Sequence, residues 1–147
     1  MVFHSDYEHA KINPYATAEQ YYRAMNQYLT RLEEDLGLPV VIAAHPRGNL
    51  KRYSSYFQGR ASVQRKTAEM VRDAAYVVTH SSTSDSFAVL WNKPLLIVST
   101  DELERSAWCP HMEATCKVLT TQRINADRLP SKVDWKALAE RPKARYD

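Results

Sequence analysis

The sequence predicts a three-layer α/β domain with a mostly parallel sheet. Short, continuous apolar runs with β-branched residues at 38–44 (LPVVIAA), 75–79 (AYVVT) and 95–98 (LLIV) read as strands covered on both faces. Helical patterns separate these runs, and strand–helix alternation is the signature of parallel α/β architecture. The chain has 147 residues, 44% of them apolar, which suits one domain (1–147) with a sizeable core and leaves no room for two.

Each element has a local reason. The longest helix runs from Thr17 to Leu36: Thr17 and Gln20 have capping-box spacing, and Gly37 supplies a C-terminal stop. Tyr21, Met25, Tyr28, Leu32 and Leu36 recur at helical spacing and form its buried stripe. After the first strand run, 45–59 is polar and basic and reads as a loop with at most a short helix. A short strand is expected at 61–64 and a helix at 66–74, with Ala68, Val71 and Ala75 on one face. Ser82 and Asp85 again have capping-box spacing before a helix containing Phe87, Ala88, Leu90 and Trp91, which Lys93-Pro94 stops. Helices are expected at 101–105 and 113–121. The polar tail 131–147 docks through Trp135 and Leu138. No repeat, low-complexity tract or linker interrupts the chain.

Composition excludes several classes. Twenty basic against 17 acidic side chains give a formal +3, too mild for a general nucleic-acid coat or a membrane-surface protein. No apolar run approaches the roughly 20 residues of a transmembrane helix. The N-terminus lacks a signal-peptide pattern, so a cytoplasmic protein is expected, reaching the inner membrane only peripherally, through a partner. Two cysteines, Cys109 and Cys116, make no disulfide scaffold. With three glycines, neither GxGxxG nor GxxxxGK[ST] can be written. Charge is uneven: 45–73 holds seven basic residues (Arg47, Lys51, Arg52, Arg60, Arg65, Lys66, Arg72) and two acidic ones (Glu69, Asp73), so this stretch is +5 and the rest −2. That asymmetry suits an anionic ligand and equally suits solvated surfaces.

In parallel sheets ligands sit beyond the carboxyl ends of the strands, near a switch in strand order, and two strand ends here carry unusual residues. The first is His45-Pro46-Arg47-Gly48-Asn49. Pro46 turns the chain out of the sheet and leaves His45 on the last strand position. Its imidazole can donate to a phosphate oxygen, Arg47 can fork onto the same anion, and Gly48 permits close backbone approach. The competing reading is a structural histidine. The second is Thr79-His80-Ser81-Ser82-Thr83-Ser84. The following helix start favours an anion, and Ser81, Ser82 and Thr83 add hydroxyl donors. Ser and Thr are also ordinary caps, Asp85 fits capping better than catalysis, and His80 can face a ligand or bond a loop carbonyl.

These pieces, in this order, resemble the C-terminal, donor-binding half of GT-B-type glycosyltransferases. Sialyltransferases, polysialyltransferases, capsular Kdo transferases and CDP-glycerol polymerases of bacterial surface-polysaccharide and lipopolysaccharide synthesis share the His-Pro and Ser-Ser/Thr arrangement. The resemblance runs through VVIAAHPRGN, KTAEMV and THSSTSDSFAVLWNKPLLIVSTDEL, about two-fifths of the chain. It implies a Rossmann-like domain beginning with a strand at Val2-Phe3. It also implies that His45, Ser81, Ser82 and Thr83 hold the phosphate of a CMP-, CDP- or UDP-linked donor and stabilise the leaving group. By the same resemblance Lys66, Thr67 and Glu69 lie near the base or ribose. No Asp-x-Asp motif occurs, so neither a metal nor another cofactor is implied. Such enzymes take acceptor and general base from a second domain, and no carboxylate here reads as a base. The chain is thus expected to need an acceptor-domain partner or a second copy, and to be inactive alone.

The alternative is a nucleotide- or anion-binding module without turnover. A serine hydrolase lacks its G-x-S-x-G elbow. Cys109, His111 and Cys116 lack a fourth ligand at a recognised zinc spacing. Tyr15, Tyr21, Tyr22 and Tyr28 fall at helical spacing and read as packing rather than a base-stacking platform.

Overall fold

Gly37 ends the longest helix, α1 (Ala18–Leu36), in a left-handed conformation (φ 65°), its N–H returning to the Glu33 carbonyl. This computed structural model describes residues 2–3 and 16–140. The strands are β1 (Val2–Phe3), β2 (Ile42–Ala44), β3 (Ser62–Gln64), β4 (Val77–Thr79), β5 (Leu95–Ser99) and β6 (Arg123–Asn125). The remaining helices are α2 (Leu50–Tyr56), α3 (Thr67–Asp73), α4 (Asp85–Leu90), α5 (Asp101–Arg105), α6 (Cys109–Leu119) and α7 (Trp135–Ala139), with a 3-10 turn at Ala126–Arg128. β1 pairs with β2 and β2 with β3; β4 pairs with β5 and β5 with β6; every pair is parallel. These are two three-stranded sheets, β1-β2-β3 and β4-β5-β6, and they meet where β1 contacts β4. This is the Rossmann-like α/β arrangement that the alternation of elements predicts.

The order fixes the layers. From β1 the chain steps outward to β2 and β3, then crosses to the far side and steps outward again through β4, β5 and β6. Right-handed crossovers therefore put α1 and α2 on one face and α3 and α4 on the other. The two apolar clusters match. Ile42, Ala44, Val78, Leu96 and Val98 pack with Met25, Tyr28 and Leu29 of α1, Tyr53, Phe57, Leu103 and Trp135. Ala43, Val77, Leu95 and Ile97 face the other way, against Val71 of α3 and Ala88 of α4. Neighbouring residues of one strand thus enter opposite cores, which is why these strands are apolar without alternation.

Several elements depart from expectation. The run 38–44 yields only Ile42–Ala44: the Val40 N–H goes to the Glu33 carboxylate at 2.8 Å instead of a ladder, and Leu38 and Val41 are exposed. The strand expected from 75 begins at Val77, and Ala75 is exposed rather than on the buried face of α3. α6 begins at Cys109, where Pro110 suits a first turn, rather than at 113. Leu36 is only half-buried. β6 was not expected, because Arg-Ile-Asn carries one apolar residue; it is an edge strand, paired among the described residues with β5 alone. In the tail, Trp135 is buried edge-on to Tyr28 and donates from Nε1 to Asp35 at 2.8 Å. Residues 141–147 of the expected docking tail, and Tyr15, lie outside the described residues.

Candidate functional site

The strand order reverses between β1 and β4, and both unusual strand ends flank that point. β2 pairs in parallel with β1, and β4, in the second sheet, contacts β1.

At the end of β2, His45 is half-buried and its Nδ1 accepts the Arg47 N–H at 3.2 Å. In the neutral ring the proton is therefore on Nε2, which is the donor. Its carbonyl accepts from the Gly48 N–H (2.9 Å) and from Gln64 Nε2 (2.8 Å), and Gln64 also holds the Gly48 carbonyl (2.6 Å). The end of β3 thus buckles the 45–48 turn onto the sheet. Gly48 has a different reason from the expected ligand approach: a Cβ there would lie 2.5 Å from Tyr53 Oη and 2.6 Å from Cε2. The glycine makes room for a buried tyrosine. Asn49 is the N-cap of α2, its side chain accepting from the Lys51 N–H at 3.1 Å. Arg47 is exposed at the turn.

At the end of β4, Ser81 adopts φ 142°, a conformation unusual for a residue with a Cβ. Its N–H donates to Thr79 Oγ1 at 3.2 Å, and its hydroxyl lies 2.8 Å from Thr115 Oγ1 on α6. Thr115 donates to the His111 carbonyl, so Ser81 is the donor to Thr115 and its hydroxyl proton is engaged. The Ser82 N–H donates to Asp85 Oδ2 at 2.9 Å, half of the expected capping box. The other half is replaced: Ser82 Oγ accepts from the Ser84 N–H, and the Asp85 N–H goes to the Ser82 carbonyl. In this turn Ser82 is half-buried and Thr83 is exposed.

Asp85 is buried, and Oδ1 has no hydrogen-bond partner among the described residues. Burial pushes its carboxyl above the usual range, against the Ser82 N–H and the Thr79 hydroxyl. It serves the turn from behind.

His80 takes the inward alternative. It is buried, with Nδ1 2.6 Å from the Val98 carbonyl and Nε2 2.8 Å from the Tyr21 hydroxyl. The carbonyl can only accept, so Nδ1 carries the proton and Nε2 accepts from Tyr21. Burial holds the imidazole well below its usual range, down to about 4, although the Val98 carbonyl favours protonation. His80 therefore presents no ring nitrogen to a ligand.

Lys66, Thr67 and Glu69 sit at the start of α3. Lys66 and Glu69 are exposed and line, with Ala43, Met70 and Val77, an open groove of about 820 Å³ along α3 that does not include His45 or Ser81–Thr83. The basic stretch also divides. Arg60 is consumed structurally, bonded to Glu33, Asn26, Thr30 and the Phe57 carbonyl, and Arg72 pairs with Asp73. Arg47, Lys51, Arg52, Arg65 and Lys66 stay exposed.

One participant at this edge is invisible to sequence reasoning. Glu102, in the first turn of α5, accepts from both the Thr17 N–H (2.8 Å) and the Thr17 hydroxyl (3.1 Å). A carboxylate thus occupies the positive end of α1, the helix start that binds phosphate in glycine-rich dinucleotide folds. A separation of 85 positions between Glu102 and Thr17 leaves no spacing signal, and the same holds for Thr115 beside Ser81. The chain matches no family model, no curated protein and no solved structure.

Proposed function

We propose that this chain is the donor-nucleotide-binding domain of a glycosyl- or glycerophosphotransferase of bacterial surface-carbohydrate synthesis, taking a CMP-, CDP- or UDP-linked donor. The observation that carries the reading is the pair of donor-bearing strand ends flanking the reversal of strand order. His45 Nε2–H and Arg47 stand on one side, the Ser82 hydroxyl and Thr83 on the other. A nucleoside phosphate is held between them. Because Glu102 already neutralises the start of α1, the phosphate lies between β2 and β4 rather than on α1. As the sugar–oxygen or glycerophosphate bond breaks, the new negative charge on the nucleotide meets donors fixed beforehand, which is electrostatic catalysis of the preorganised kind.

Asp85, buried behind the turn with Oδ2 committed to the Ser82 N–H, does not serve as a general base. The acceptor and its base come from a partner domain or a second copy, in a cytoplasmic assembly that meets the inner membrane through that partner. The second reading, an anion-binding module without turnover, is favoured by the same missing base.

Calorimetry with CMP, CDP and UDP tests the site. Binding in the micromolar-to-millimolar range (about −8 to −4 kcal/mol) is expected, abolished by His45→Ala and weakened by Ser82→Ala. No binding of any nucleotide up to millimolar concentration by the folded protein would overturn it. Transfer is expected only with an acceptor-domain partner; turnover by the isolated chain would show a base within it.

A further inference from the structure

We propose that Tyr21 and His80 are positioning residues for the Ser81–Ser84 turn: the His80 ring, bridging α1 and β5, sets the direction in which the turn presents Ser82 and Thr83. The inference rests on the phosphate-site reading for its functional consequence, and on geometry alone for its structural one.

The turn begins just after β4, and the residue before it, His80, and its first residue, Ser81, are each held by another element. On the α1 side, His80 Nε2 accepts from the Tyr21 hydroxyl at 2.8 Å while Nδ1 donates to the Val98 carbonyl at 2.6 Å. Tyr21 is 1% exposed, and the two rings meet edge to face at 5.6 Å. On the α6 side, Ser81 is tied to Thr115 at 2.8 Å. Between these holds, the Ser81 backbone adopts φ 142°, a conformation that persists only where the surroundings enforce it. A ring fixed at both nitrogens cannot rotate about χ2, and the Cα it hangs from is the entry to the turn. Such a contact orients donors in advance and removes the cost of ordering them when a phosphate arrives.

Tyr28 provides the internal control. It lies two turns along the same helix, is equally buried, and its hydroxyl has no hydrogen-bond partner among the described residues. Tyr21→Phe and Tyr28→Phe therefore remove the same atom from the same helix, and only the first releases His80. Thr115→Val releases the turn from its other side.

The experiment combines amide hydrogen exchange, imidazole ¹⁵N shifts and CMP titration on the full chain. In the wild type, the His80 shifts should report the Nδ1–H tautomer. In Tyr21→Phe the Nε2 resonance should move, the Ser82 N–H should exchange at least tenfold faster with β5 amides unchanged, and the Kd for CMP should rise at least tenfold. Thr115→Val should reproduce the faster Ser82 exchange, and Tyr28→Phe should change none of these. Unchanged Ser82 exchange in Tyr21→Phe overturns the positioning role. Faster exchange with an unchanged Kd overturns its functional consequence. If the wild type binds no CMP, the phosphate-site reading fails, and the exchange data alone decide whether His80 positions the turn.

Discussion

His45 follows β2 and His80 follows β4, yet they hold their protons on opposite nitrogens. His45 keeps Nε2–H because Nδ1 accepts an amide of its own turn; His80 keeps Nδ1–H because a carbonyl requires a donor there. The difference has a consequence in pH. A ring held near 4 when folded and near 6.5 when unfolded binds fewer protons in the native state between those values. Stability from His80 is therefore complete above about pH 6.5 and falls as pH drops toward 4, by up to about 3 kcal/mol. Urea unfolding at pH 7 and pH 4.5 should show this loss, and His80→Gln should flatten it. Gly48 is the other residue whose role differs from its sequence reading. Gly48→Ala should destabilise the fold by about 1–3 kcal/mol, the usual cost of overpacking, because the new methyl would meet the buried Tyr53 ring. A thermal melt would show it, and an unchanged Tm would mean that Tyr53 yields.

Among the elements, α1 has the least local solution to its own start. Thr17 occupies the N-cap without a side-chain cap bond to the helix; its hydroxyl and N–H go to Glu102 instead. The helix dipole is thus met by a carboxylate from α5, a contact that also ties the start of α1 to the start of α5. Glu102→Ala should cost about 1 kcal/mol, as for loss of a cap, and amide exchange should quicken in the first turn of α1 but not in its last. Uniform destabilisation without local fraying would contradict this role. The 45–48 turn is solved differently, by Gln64 reaching across from β3.

Over the whole molecule, the architecture was legible because strand periodicity and helix stops are local. Gly37, Pro94 and the apolar runs at 42–44 and 95–98 each act within a few residues, and the parallel sheet follows from their alternation. Edge elements were less legible: β6 has a single apolar residue, and β2 is short because Glu33 captures the Val40 N–H, a contact between side chain and backbone that no pattern encodes. For the candidate site, the sequence identified both strand ends, and the structure sorts their residues. Gly48, Asn49, His80, Ser81 and Ser82 are engaged in building the two turns, whereas Arg47 and Thr83 are exposed and His45 is half-buried. Lys66 and Glu69 belong to a separate groove. That sorting depends on Tyr53, Tyr21, Thr115 and Asp85, partners brought in by folding; only Asp85 stood at a recognisable spacing.

The proposed site holds a nucleotide phosphate between the ends of β2 and β4. A titration of ¹⁵N-labelled protein with CMP, followed by amide and imidazole shifts, tests it. The largest, saturable changes are expected at His45, Arg47, Ser82 and Thr83, with Thr17 at the start of α1 and Met70 in the α3 groove nearly still. Changes centred on Thr17 or Met70, or no saturable change at all, would contradict it.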